Sequence, residues 1–246
     1  MALPTYVGST VIQTSTVDLT PNTTGLTIAA DDVLLLACES ENQAIVLGTA
    51  NGWAEVTNSP QSAGTAGVDP ASRLAVFWKR ATDAAPTMPT ITDPGNHVTA
   101  AVHQFAGCIT SGNPWDVTAG GNDGGVDDTS GVIPGATTTV IDCLVVAICT
   151  SSVNATSTTH FSAWTNADLG SLTERFDSIN TVGFGGGHGM ATGTKAGIGA
   201  YADTTVTLGG TSFKGAMSIA LKPPVAGGAT EWGLFLSDSR NRMVIA

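Results

Sequence analysis

The sequence predicts an all-β protein: a two-sheet, jelly-roll-like β-sandwich built from two related halves, followed by a C-terminal extension. Three observations indicate this fold. Short apolar or alternating segments are separated by Gly, Pro, Asn and Asp, which is typical of strands joined by turns. An apolar period of 3.6 residues never continues over the length of a helix. An acidic residue followed by an aliphatic run occurs at residues 32–38 and again about 110 residues later at 142–149.

Other features of the two halves also correspond. Trp53 and Trp164 follow the two aliphatic runs at nearly the same distance, and each half closes on another apolar segment, at 98–106 and 213–221. Either two tandem domains or two halves of one sandwich would explain this duplication. Because the composition shows no linker between the halves, we favour one β-sandwich over residues 1–223. Its quasi-repeats cover about 7–110 and 131–222.

The individual strands follow from local patterns. The nearly continuous apolar run 33–38 predicts a strand that is covered on both faces, and 73–80 alternates as a half-buried strand does. The Gly- and Asn-rich segment 109–131 is predicted to be a loop. The predicted strands of the first half are 7–16, 26–29, 33–38, 43–47, 73–80 and 97–105; those of the second half are 132–133, 138–141, 143–150, 173–177, 196–201, 204–208 and 213–221.

Composition limits the possible function. The chain has 246 residues, of which 42% are hydrophobic and 12% charged, so it can fold around a large core and is not disordered. Its net charge of −11, with only nine basic residues, disfavours nucleic-acid binding through phosphates. We expect no membrane insertion, because no run approaches the roughly 20 apolar residues of a membrane span. We also expect synthesis in a cytoplasm, because no signal peptide is recognisable.

The sequence contains no recognisable catalytic motif. The glycine-rich segment 183–189 lacks the Lys-Ser/Thr ending of a phosphate loop, and we expect a flexible loop or a Gly-rich strand edge there. The four histidines are scattered, and no nucleophile elbow is present. Two carboxylates could still meet in space, as glycoside hydrolysis requires. We therefore predict no enzymatic activity and no cofactor, with polysaccharide hydrolysis as a remaining alternative.

Two loops carry candidate binding residues. Trp115, followed by Asp116, is the best candidate for an exposed aromatic side chain that stacks on a sugar, although Trp side chains more often fill cores. Asp123, Asp127 and Asp128 lie in a glycine-rich segment and could bind Ca²⁺. Their spacing matches neither an EF-hand loop nor a calcium-binding nonapeptide repeat, so a solvated acidic loop is the simpler interpretation.

The four cysteines are predicted to be buried free thiols. None has C-x-x-C spacing, which disfavours a zinc site. Cys143 and Cys149 share one predicted strand and would lie about 20 Å apart, too far for a disulfide.

The C-terminal segment 224–246 is predicted to be an extension or assembly arm. Trp232, Leu234, Phe235 and Leu236 form an apolar cluster after the Pro223-Pro224 break. The segment could fold back as an extra strand of the same chain. Alternatively, it could add to the sheet of a neighbouring subunit, which is a common mode of assembly.

The first half resembles a family. The pattern is an acidic residue with an aliphatic run (32–37), Gly-Trp (52–53), an aromatic strand that ends in Arg-Ala (77–81) and aromatic-x-Gly (105–107), followed by Pro-Trp-Asp (114–116). It is similar to the jelly-roll minor structural proteins of tailed bacteriophages and their prophages. The likeness covers roughly 7–222. Asp31 replaces the usual Gly, and the second half keeps only a degraded Arg-Ala strand at 193–196.

The resemblance implies a virion component without enzymatic activity, such as a tail fibre, tail-tip, collar or capsid decoration protein. It implies copies of the same chain and other virion proteins as partners, a location in the virion, and a contribution to host-surface adhesion through glycans. No binding or catalytic residue can be transferred from the family. A carbohydrate-binding module on a phage or bacterial surface is the alternative interpretation.

Overall fold

Nineteen strands and one short 3-10 turn make up the computed structural model, which describes residues 3–224. No α-helix occurs between these two positions, and the predicted all-β sandwich is confirmed. The first nine strands are β1 Thr5–Ser9, β2 Gln13–Ser15, β3 Val33–Ser40, β4 Val46–Thr49, β5 Ala54–Glu55, β6 Gln61–Gly64, β7 Ala71–Arg80, β8 Thr90–Thr92 and β9 Val98–Ala106. The remaining elements are β10 Trp115–Gly121, the 3-10 turn Asp123–Gly125, β11 Asp128–Ile133, β12 Ala136–Thr138, β13 Cys143–Ser151, β14 Phe161–Thr165, β15 Gly170–Asn180, β16 Gly186–Lys195, β17 Gly199–Tyr201, β18 Thr204–Ser212 and β19 Ala216–Leu221.

Two antiparallel sheets form the centre of the molecule, one from each half of the chain. The first has the order β1-β9-β3-β7-β5, with β2 also paired to β9 and β6 to β7. The second has the order β10-β19-β13-β16-β15. The repeated aliphatic runs form β3 and β13, which take the same place in the two orders. Strands are not exchanged between the central sheets, and the second sheet begins at Trp115, earlier than the repeat boundary suggested by the sequence.

The inner faces of the two sheets share one core. Val33, Leu35 and Ala37 of β3 pack in the same cluster as Val146 and Ile148 of β13. The other main members of this core are Leu74, Val76, Phe105, Met190, Met217, Ile219 and Leu221. Successive side chains of a strand point to opposite faces of its sheet. The residues that alternate with these core members therefore lie on the outer faces.

Smaller layers cover the outer faces. The pair β4-β8, with Trp53 and Ile28, covers Leu34, Leu36 and Cys38 of the first sheet. The three-stranded sheet β11-β18-β14 and the pair β12-β17 cover the second sheet. As predicted from its apolar run, β3 is therefore buried along its whole length, and so is β13.

Several local predictions differ from the structure. Residues 109–131 are not one loop, because they contain β10 and the start of β11. Residues 26–29 form no strand, although Ile28 is buried. The glycine-rich segment continues into β16, a fully paired inner strand of the second sheet. Glycine is required there for packing, because a Cβ on Gly189 would overlap the ring of Phe161.

The remaining expectations concern the cysteines and the membrane. All four cysteines are buried free thiols, as predicted. A search of residues 3–224 found no helix with the length and apolar character needed to cross a membrane.

Candidate functional site

Residues of the family-like pattern hold the first half together. Asp32 accepts hydrogen bonds through Oδ2 from the backbone N–H of Ala29 (2.8 Å) and from Nε2 of Gln104 (2.6 Å). Trp53 is buried and donates from Nε1 to the carbonyl of Thr87 (3.1 Å). These bonds connect the start of β3 to β9, and the outer layer to the loop before β8. The acidic residue and the Gly-Trp pair therefore stabilise the fold.

Trp115 is buried, with 7% of its surface exposed, so the prediction of an exposed aromatic contact is wrong. Its ring meets the edge of Trp78 of β7 at a centroid distance of 5.3 Å. The Arg80 guanidinium lies 5.7 Å from the Trp78 ring centroid and donates to the carbonyls of Ile109 (2.6 Å) and Gly112 (3.3 Å). Together these residues fasten the end of β7 to the connection that leads into the second half. Trp115 cannot stack on a sugar in this position.

Asp116 has a local structural role. Its Oδ2 accepts from the backbone N–H groups of Thr139 (2.5 Å) and Val140 (3.2 Å), and its Oδ1 accepts from the Thr139 hydroxyl (2.7 Å). The carboxylate thus fixes the turn that enters β13. Both carboxylate oxygens are therefore engaged in hydrogen bonds within the chain.

The acidic loop is arranged around a lysine. The fully buried Lys214 places its Nζ 2.6 Å from Oδ1 of Asp128 and 3.3 Å from Oδ2 of Asp123, and donates to the Ser130 carbonyl at 2.7 Å. The hydrogen bond from Lys214 lowers the pKa of Asp128. Asp127 is exposed. The ammonium group thus occupies the position that a bound cation would take among these oxygens.

The structure therefore does not support the calcium alternative. Among the described residues, no group of three or more His, Cys, Asp or Glu side chains is arranged to hold a metal ion. Lys214 was not identified from the sequence, because it is a single charge within the segment predicted as the strand 213–221. The predicted assembly residues Trp232, Leu234, Phe235 and Leu236 lie outside the described residues.

A buried acid–histidine cluster lies at one end of the sandwich. His97 Nε2 is 3.0 Å from Oε2 of Glu39, and both side chains are fully buried. The Ser72 hydroxyl donates to Thr150 Oγ1 of β13 at 2.7 Å, and its oxygen lies 3.4 Å from Glu39 Oε1. Burial raises the pKa of Glu39 to about 6, although the bond with His97 opposes this shift. Burial disfavours the charged form of His97, but its bond to Glu39 and the Glu39 charge raise its pKa overall.

Glu41 adds a second buried carboxyl group. Its side chain is fully buried, and within the described residues no side chain donates a hydrogen bond to its carboxyl group. Burial, reinforced by the charges of Glu39 and Asp69, raises its pKa from 4.5 to about 7. Ionisation of Glu41 therefore costs free energy in the folded protein, and this cost is present at neutral pH and above, where the carboxyl group loses its proton.

A row of polar side chains extends from the interior toward the surface. His188 Nε2 is 3.0 Å from His103 Nε2, and His103 Nδ1 is 2.6 Å from the Ser9 hydroxyl, which is 2.8 Å from the Tyr6 hydroxyl. Burial lowers the pKa values of both histidines, that of His188 to about 3, so both rings are neutral at physiological pH. Phe176 stacks on His188 with ring centroids 4.7 Å apart.

The row of polar groups from His188 to Tyr6 ends at an open cavity of about 370 Å³ between β1 and β15. Tyr6 and Ser9 line it from the first sheet, and Arg175, Phe176 and Asp177 line it from the second. Sequence analysis missed all five residues, because edge strands from opposite halves bring them together only in space. The cavity combines an arginine, a carboxylate, hydroxyl groups and aromatic rings, which is a set of groups suited to binding a small polar molecule.

Comparisons with known protein families, with curated proteins and with solved structures found no match.

We expect Glu41→Gln to stabilise the protein at pH 8 relative to pH 5. Because the pKa of Glu41 rises to about 7 on folding, its carboxyl group binds a proton more tightly in the folded state, and stability falls as pH rises from about 4.5 to 7. A glutamine side chain does not titrate, so the substitution removes this dependence of stability on pH. Denaturant unfolding at both pH values measures the change in the free energy of unfolding that the substitution causes. This change should be about 1–2 kcal/mol more stabilising at pH 8 than at pH 5. Glu55→Gln, at an exposed carboxylate, is the control, and equal responses of the two variants would refute the prediction.

Replacing Lys214 by Met should destabilise the fold by about 1–3 kcal/mol, because the Asp123 carboxylate and the Ser130 carbonyl lose their buried donor. Thermal and urea unfolding measure the loss. Lys195→Met, at a half-buried lysine of β16, is the matched control and should cost less than about 0.5 kcal/mol. A similar loss in both variants would mean that the Lys214 ammonium does not hold the acidic loop.

Proposed function

We propose that this protein is a non-enzymatic structural component of a tailed-bacteriophage virion, in the tail fibre, tail tip, collar or capsid decoration. The observation that carries the proposal is the position of the residues that resemble the phage family. Asp32, Trp53, Arg80 and Trp115 all make contacts that hold the framework. A sequence pattern made of framework residues suits a family whose members share an architecture rather than a reaction.

The placement of the histidines supports a role without catalysis. All four are buried. His97 is bonded to Glu39, His103 to Ser9, and His160 to Ser151 (2.9 Å). Because a general acid or base must reach its substrate, side chains enclosed in this way are better suited to packing than to proton transfer.

Assembly is the other element of the proposal. The surface has few charges, and virion proteins commonly form symmetric oligomers. We propose that the extension 224–246, through Trp232, Leu234, Phe235 and Leu236, mediates contacts between copies of the chain. Four large apolar side chains within five positions would be costly to leave in water.

Light scattering tests the assembly. We expect the full-length chain to be a trimer or a larger oligomer, and a chain ending at residue 224 to be a monomer with an unchanged circular dichroism spectrum. The truncation removes the apolar extension and leaves the described sandwich intact. Monomers in both preparations at micromolar concentration would contradict the assembly role.

Immunogold labelling tests the location in the virion. Antibodies against the recombinant chain should decorate purified phage particles from the source at a fixed position, and mass spectrometry should find the chain in those particles. Particles from a phage that lacks the gene are the control. If the chain occurs only in the soluble fraction of lysed cells, the virion proposal is wrong.

A further inference from the structure

The cavity lies where the edge strands of the two central sheets meet. β1 is the edge of the first sheet and β15 the edge of the second, and the two strands contact each other. The cavity has a volume of about 370 Å³, near the lower end of the roughly 300–1,000 Å³ that is typical of ligand pockets. Thr158 completes the lining from the connection before β14.

At the corresponding seam on the opposite side of the sandwich, asparagine side chains bridge the two edges. There β10 meets β6, as β1 meets β15. Asn58 Nδ2 donates to the carbonyl of Thr118 (2.8 Å) and to its hydroxyl oxygen (2.9 Å), and Asn122 Nδ2 donates to the carbonyl of Ser62 (3.0 Å). Side chains thus bridge both seams, and an open pocket lies beside the contact between Tyr6 and Arg175 at one of them.

Arg175 is held in place beside the cavity. Its Nε donates to Thr192 Oγ1 at 2.9 Å, and its Cζ lies 5.3 Å from the centroid of the Tyr6 ring. The Tyr6 hydroxyl is itself 2.8 Å from the Ser9 hydroxyl. An exposed arginine that is fixed in this way loses little conformational entropy when it donates to a ligand.

Asp177 supplies the opposite charge. Its Oδ2 accepts from the backbone N–H of Phe161 at 2.7 Å and its Oδ1 is buried, so the carboxylate contributes charge to the lining rather than a direct contact with a ligand. Burial raises the pKa of Asp177 to about 6. With one arginine and one carboxylate, the lining has no net formal charge at neutral pH, and its other polar groups are the hydroxyls of Tyr6, Ser9, Thr10, Thr158 and Ser178.

Apolar surface borders these polar groups. Val11, which is 78% exposed, and Ile12 line the cavity from the first half, and Phe176 does so from the second. The Phe176 ring is fixed by its stacking on His188. A ligand that fits must therefore present both hydrogen-bonding groups and apolar C–H surface.

We propose that this cavity binds a neutral saccharide of one or two pyranose rings. Sugar hydroxyls can both donate and accept, and so can the hydroxyls of the lining, while Arg175 donates. The C–H faces of a pyranose match Val11, Ile12 and Phe176. The net charge of −11 disfavours an anionic ligand, and Arg175 disfavours a cationic one. This binding goes beyond the structural role proposed above and does not depend on a place in the virion.

Saturation-transfer difference NMR on the full-length protein tests the inference. The probes are methyl glycosides of glucose, galactose, mannose, N-acetylglucosamine and N-acetylgalactosamine, and the related disaccharides; glucuronic acid and N-acetylneuraminic acid are charged comparators. We expect at least one neutral probe to bind with a Kd on the order of 1 mM. Binding should be at least about tenfold weaker in Arg175→Gln and in Thr158→Trp, which fills the cavity.

Thr159→Trp is the matched control, because Thr159 is the exposed neighbour of Thr158 and does not line the cavity. Its affinity should stay within about twofold of the parent. The inference is overturned if no neutral probe shows transfer at about 10 mM, if the charged comparators bind more tightly, or if both Trp variants lose binding equally. Light scattering and particle labelling do not depend on sugar binding, so failure here can be told apart from failure of the structural proposal.

Discussion

Face-to-face packing of the two central sheets is the constraint on which the rest of the structure depends. Each repeat places the alternate side chains of its aliphatic run on an inner face, and these faces meet in one shared core. A single repeat would expose that face to water, and burial of apolar surface is the dominant favourable term in folding. Because β3 and β13 also bury their outer faces, each repeat needs its own covering layer as well. The two central sheets and their two covering layers are therefore stacked around one shared core.

The ends of the sandwich depend on buried polar groups. Ser72 of the first sheet bonds Thr150 of the second directly, and the same serine reaches Glu39. Directional bonds of this kind require a defined alignment of the sheets, which apolar contacts alone impose less strictly. Glu41 shows the cost of such an interior, because its carboxyl group is buried beside Glu39 and no side chain in the described part of the chain donates to it. Since protonation would relieve that cost, we expect the stability contributed by this end of the protein to depend on pH, whereas the apolar core has no group that titrates in this way.

The sequence predicted those features that local pattern determines. The runs that became β3 and β13 are apolar because both faces are covered, and the duplication was visible in these same runs. The glycine-rich strand β16 was missed because its packing depends on the absence of a side chain at Gly189 against the ring of Phe161, and strand propensity does not record that requirement. Trp115 was predicted to be exposed from its loop-like neighbours, but Trp78, distant in sequence, covers it. The buried ammonium of Lys214 and the cavity at β1 and β15 both arise from contacts between distant segments.

The two seams show how a duplicated fold can acquire a site without disturbing its core. Both seams join an edge strand of one sheet to an edge strand of the other, at the margin of the shared apolar core. At one of them, the side-chain amides of Asn58 and Asn122 donate to backbone carbonyls of β10 and β6. At the other, the Tyr6 hydroxyl of β1 donates to the Arg175 carbonyl of β15 (3.3 Å) and the Arg175 guanidinium lies over the Tyr6 ring, with the pocket beside these contacts. Since side chains at the sheet edges can change with little loss of core packing, the repeats are free to differ there. The fold accounts for the existence of two seams, and a few edge residues account for the cavity in one of them.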